Sequence, residues 1–133
     1  MKFTQQRQEG VNLIRRYAAD YIVVGEREIR DSCIVSATAL TSWPPRSVEE
    51  LSLENLAPLF ELAPEVVVLS TGGTQKFPRA SLRAEFATRK IGLEVMEIGA
   101  ACRTYNVLVG EERRVLAAVL LPPARPSSAG QSE

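Results

Sequence analysis

Val66-Val67-Val68-Leu69-Ser70-Thr71-Gly72-Gly73 is an apolar run that empties into a small polar loop. A strand covered on both faces reads as an unbroken apolar run, and the loop after it borders the crevice where α/β sheets bind ligands. The stretch predicts a buried parallel strand followed by a place to look for a site. It predicts no reaction.

Working outward, Ser47-Val48-Glu49-Glu50 fits a capping box, as does the looser Ser52-Leu53-Glu54-Asn55. Leu56, Leu59, Phe60 and Leu62 form an apolar stripe, with Pro58 expected to delay or kink the helix and Pro64 to end it. Downstream, Phe77-Pro78 introduces a second helix over about 79–90, with Leu82 and Phe86 one turn apart. Ile91 and Gly92 close it, and Leu93-Glu94-Val95-Met96 reads as the next strand. Gly99-Ala100-Ala101 opens a third helix that runs to Val109, with Gly110 expected as its C′ glycine. After the charged turn at 111–114, the nearly all-apolar Val115 to Leu121 should neighbour Val66–Leu69 in the middle of one sheet. The short link at 110–114 leaves the direction of this last strand open.

Towards the N-terminus, Tyr21–Val24 and Glu28–Ala37 read as two strands joined through Gly25-Glu26-Arg27. Cys33, Val35 and Ala37 share one face of the second, and Trp43-Pro44-Pro45 ends strand structure. The resulting fold class is α/β, a three-layer sandwich around a central mixed β-sheet, with an N-terminal β-hairpin extension. The expected organisation is a flexible N-terminus over 1–10, one domain over 11–121, and a disordered Pro/Ser-rich tail over 122–133.

A chain of 133 residues is long enough to bury a core without metals or disulfides. Sixteen basic and sixteen acidic residues cancel, so no net field attracts nucleic acid or an anionic membrane. Cancellation hides two patches: Arg79, Arg83, Arg89 and Lys90 on the second helix, and Glu49, Glu50, Glu54, Glu61 and Glu65 before it. Histidine is absent, which removes Ser-His-Asp and Cys-His nucleophile activation and histidine metal sites within this chain. Cys33 and Cys102 are expected as reduced, unbridged and partly buried thiols. Met1 to Arg7 lacks an apolar h-region and no run reaches the length of a membrane span, so a cytoplasmic protein without membrane insertion is expected.

The candidate site is an anion crevice. Thr71, Gly72 and Gly73 offer a loop that a ligand can approach closely, Glu97 stands at a strand C-terminus, and Arg103 can reach a carboxylate or phosphate. The loop is neither a P-loop nor a dinucleotide fingerprint. Against a site stands a tight turn whose glycines only relieve strain, with Tyr105 and Asn106 bracing the third helix against its neighbours. Without a second carboxylate beside Glu97, general acid–base chemistry has little support.

Three blocks coincide: Val66–Gly73 with Phe77-Pro78, then Ile91 to Met96, then Ala100-Ala101 with Arg103-Thr104-Tyr105-Asn106-Val107-Leu108. Over about 20–121 the chain resembles the Mth938-like family of small domains of unknown function. Its eukaryotic relatives include a mitochondrial complex I assembly factor and an adipogenesis-associated protein. The resemblance implies a three-layer fold with an antiparallel last strand. It carries no catalytic residues, and Ser70 departs from the family's Gly-Thr-Gly loop. A non-enzymatic interaction or assembly module with a protein partner, no nucleic acid and no cofactor is therefore expected. The alternative is a small-molecule or anion binder, possibly cofactor-dependent, using the crevice after Val66–Leu69.

Overall fold

Residues 10–123 are described by a computed structural model of the chain. The expectations for residues 1–10 and for the tail over 122–133 fall, Gly10, Pro122 and Pro123 apart, outside the described residues. The elements are β1 (Ile14–Ala18), β2 (Tyr21–Val24), β3 (Arg27–Ile29), β4 (Cys33–Val35) and β5 (Leu40–Ser42), then α1 (Leu53–Glu61) and β6 (Val66–Ser70). They continue with α2 (Ala80–Thr88), β7 (Gly92–Met96), α3 (Ile98–Gly110) and β8 (Val115–Val119).

The unbroken apolar runs of β6 and β8 do what such runs require, lying side by side and parallel with every residue buried. The main sheet has the order β5-β4-β8-β6-β7, and β1-β2-β3 form a separate antiparallel sheet. Alternation along β6 divides its side chains between two cores. Val66 and Val68 meet Tyr105, Cys102 and Ile98 of α3 and Ile22 and Val24 of the small sheet. Val67 and Leu69 meet Leu56 and Leu59 of α1 and Leu82 and Phe86 of α2. Helices therefore cover both faces, in the three-layer arrangement expected. Cys33 and Cys102 are free in the α3-side core, where desolvation pushes each thiol up to about 12.

Several local expectations are corrected. The last strand is antiparallel only to β4; against β6 it is parallel, because α3 carries the chain back across β6 before β8 begins. The stretch Glu28–Ala37 is two strands, since the chain leaves the small sheet at Ile29 and enters the main one at Cys33. Ser32, fully buried between them, accepts the Leu121 N–H at 2.9 Å and so ties this crossing to the end of β8. The first capping box yields only a 3-10 turn over Val48–Glu50, with no cap bond from Ser47. The second is real: Ser52 and Asn55 bond reciprocally and start α1 at Leu53, ahead of Pro58. Leu62 lies past the end of α1 and is 48% exposed rather than part of its buried stripe. Gly110 is still helical; the left-handed residue after α3 is Glu112, at φ 64.

Candidate functional site

α2 and α3 pack on opposite faces of the sheet, so the loops after β6 and β7 diverge between two adjacent strands. That is the topological switch point where open α/β sheets bind ligands. Thr71 and Gly72 lie there with Glu97, and the Thr71 hydroxyl, the Gly72 carbonyl and the Glu97 carboxylate are already engaged. The Thr71 N–H donates to Met96 O at 2.9 Å, and its hydroxyl donates to Thr74 O at 2.6 Å while accepting the Lys76 N–H at 3.1 Å. Gly72 has φ +99, a left-handed value suited to glycine, and its carbonyl accepts the Ile98 N–H at 2.8 Å. Gly73 is exposed, and a β-carbon there would meet nothing within 4 Å.

Glu97 is the N-cap of α3. Its carboxylate accepts the N–H groups of Gly99 at 2.7 Å and Ala100 at 2.8 Å. Free N–H groups and the helix dipole make a helix start attractive to anions, and here the chain supplies the anion itself. These backbone bonds, with help from the charge of Arg103, hold the Glu97 carboxyl below the usual carboxylate range. Arg103 is exposed and donates to the Tyr17 hydroxyl at 3.3 Å. Tyr17 in turn lies over Gly99, where an added β-carbon would come within 2.7 Å of its hydroxyl oxygen. Thr71, Gly72 and Glu97 are thus brought together, with Arg103 near enough for its charge to act on Glu97. Gly73 is open to solvent beside Gly72, and a second anion at this helix start would meet a carboxylate.

A sign follows for pH. Because the folded-state pKa of Glu97 is depressed, its stabilising contribution is complete above the ordinary carboxylate value and is lost as pH falls through the depressed one. Glu97→Gln is expected to be less stable than the parent at neutral pH, with the two melting temperatures converging on acidification. A difference that stays constant from neutral to strongly acidic pH would contradict the cap.

Arg103, Tyr105 and Asn106 all reach the N-terminal segment, which the sequence did not reveal as their partner. The Tyr105 hydroxyl donates to Asn12 O at 2.8 Å. The Asn106 amide accepts the Ile14 N–H and donates to Ile14 O, each at 2.9 Å, as a neighbouring strand would. Tyr105 and Asn106 therefore brace α3 against β1 and the segment before it.

At the other end of the molecule a hollow of about 890 Å³ opens between the segment before β1, the β4–β5 turn, the α1–β6 link and the end of α3. Leu13, Ala37, Leu62, Pro64, Val109 and Val115 give it an apolar lining. Its polar neighbours serve the fold: the Ser36 hydroxyl accepts the Ala39 N–H at 3.0 Å, and Arg113 pairs with Glu65 at 3.2 Å. The backbone of Arg114 and the side chain of Arg113 hold Glu65 below the usual carboxylate range. Four separated stretches build this hollow, so no contiguous motif could announce it.

The fold and its neighbours define the class first. With a TM-score of 0.74 the chain superposes on a Bordetella pertussis protein described as a Mth938-like domain, 24% identical and covering 92% of this chain and 93% of that one. A Xanthomonas campestris structure matches at TM-score 0.78 and 36% identity, covering 83% of this chain and 84% of that one. The chain belongs to the family described as "Protein of unknown function (DUF498/DUF598)", whose model matches residues 14–120. It is also 36% identical over 94 residues to NADH dehydrogenase (ubiquinone) 1 alpha subcomplex assembly factor 3 of Danio rerio, covering 69% of this chain and 54% of the relative. The chain thus spans little more than half of that relative's length. No helix among the described residues is long and apolar enough to cross a membrane.

Proposed function

We propose that this domain is a non-enzymatic interaction module that helps assemble a larger protein complex, and that the apolar hollow at the end of α3 receives a polypeptide partner. The observation that carries the reading is that hollow, with Leu13 37% and Leu62 48% exposed at its mouth and its polar neighbours spent on the fold. Exposed apolar side chains gathered at one concave place are a common mark of protein contact. The likeness to a relative named as a complex I assembly factor supports the same direction. Two free thiols buried in one core suit a reducing compartment, which supports a cytoplasmic location. The anion-crevice alternative gains nothing from a helix start that Glu97 already caps.

The test is capture of partners by the tagged full chain in its source cells, compared with Leu62→Asp. A defined protein set is expected with the parent and should be depleted by the variant. The melting temperature should stay near that of the parent, because Leu62 is half exposed. Equal recovery by both proteins would remove the hollow from the account.

A further inference from the structure

β7 is an edge strand, hydrogen-bonded only to β6 within its sheet. The Gly92 N–H donates inward to Glu65 O and Met96 O accepts from Thr71, so the groups of Gly92, Glu94 and Met96 face β6. Those of Leu93 and Val95 then face outward. One of them is covered: Gln75 Nε2 donates to Val95 O at 2.8 Å. The Leu93 N–H, the Leu93 carbonyl and the Val95 N–H have no partner among the described residues. Beside them lies a hollow of about 530 Å³ lined by Gln75, Phe77, Arg83, Leu93, Glu94 and Val95. Phe77 is 59% exposed there, held by the Arg83 guanidinium 5.9 Å from its ring centre. The loop after β6, the sequence's candidate for anion binding, thus delivers an aromatic ring and an amide to a sheet edge.

We propose that β7 receives an extended segment of another protein as an added antiparallel strand, with a basic residue opposite Glu94 and apolar residues on either side of it. Antiparallel pairing lets one partner residue satisfy both open groups of Leu93, while a second accepts the Val95 N–H. The two flanking side chains fall on the α2 face with Leu93, Val95 and Phe77. The middle one falls on the other face, beside Glu94, which forms no ion pair among the described residues. The same geometry disfavours a second copy of this chain. Pairing β7 with itself so that Leu93 and Val95 exchange bonds sets Glu94 directly opposite Glu94, and like charges so placed are destabilising. The inference rests on the interaction reading but not on the hollow at the end of α3.

Two blocked peptides, Thr-Val-Lys-Val-Thr and Thr-Val-Glu-Val-Thr, are the probes, titrated into the isotope-labelled full chain and followed by amide chemical shifts. The lysine peptide should shift the Leu93 and Val95 amides saturably and slow their hydrogen exchange. The glutamate peptide should bind about fivefold more weakly, the scale of a cross-strand charge pair. Glu94→Lys should reverse the order. N-methylation of the peptide valine opposite Leu93 should abolish the shifts, since the Leu93 carbonyl accepts that N–H. Shifts absent from Leu93 and Val95 at millimolar peptide, equal affinity for both peptides, or parent chains dimerising through β7 would each overturn the proposal. If these amides stay silent while the full chain still captures a partner that Leu62→Asp loses, the added strand fails and the interaction reading stands.

Discussion

Phe86→Ala is expected to lower the unfolding free energy by about 3–5 kcal/mol, the range for truncating a buried aromatic that leaves a cavity. Phe86 is 3% exposed and meets the ring of Phe60 edge-on at 5.1 Å, joining α2 to α1 over Val67, Leu69 and Val95 of the sheet. Neither helix exceeds nine residues, so their place depends on this packing rather than on intrinsic helix stability. Denaturant midpoints measure the loss. Leu108 of α3 is only partly buried and should cost clearly less when truncated. A loss at Phe86 under about 1 kcal/mol, the scale of a surface change, would mean that this layer does not hold the sheet as described.

Asn106→Ala should cost about 2–4 kcal/mol, because it strands both backbone groups of a residue that is 4% exposed. Hydrogen exchange at Ile14 should quicken more than exchange in β6 or β8. Asn106→Asp separates the two bonds. One carboxylate oxygen still accepts the Ile14 N–H, but the other then faces the Ile14 carbonyl and has no hydrogen to give. Protonation restores that donor, so the folded state favours the protonated carboxyl and its pKa should rise on folding. Its stabilising contribution is then complete below the unfolded pKa and disappears as pH rises through the folded one. The Asn106→Asp variant should therefore recover towards the parent as the solution is acidified. A gap to the parent that widens on acidification would contradict the paired geometry.

What the sequence showed and hid follows from how far apart the cooperating residues lie. β6 and β8 were legible because a strand covered on both faces must be apolar throughout, and both are. The second and third helices were legible from local stop and start signals. β1 was not, for two reasons. A register irregularity between Ile14 and Arg16 breaks its alternation, and the amide that completes its hydrogen bonding comes from Asn106, 92 residues on. β5, with only three residues, leaves too short a pattern to read. At the candidate crevice the engagement of Thr71, Gly72 and Glu97 with their own backbone was hidden from the sequence. Glutamate is not among the favoured N-cap residues, so nothing local marked Glu97 as the anion of its own helix. The block Arg103-Thr104-Tyr105-Asn106 stood out as a motif for a physical reason now visible: Arg103, Tyr105 and Asn106 each hold the segment from Asn12 to Tyr17.

The most direct test of the interaction reading is photocrosslinking from inside the hollow. A photoreactive phenylalanine derivative replaces Leu62 in the full chain within its source cells, and in a control replaces Ala87, exposed on α2. Irradiation should yield a discrete adduct with a second polypeptide from position 62 and none from position 87. No adduct from 62, or the same products from both positions, would contradict a partner seated in the hollow.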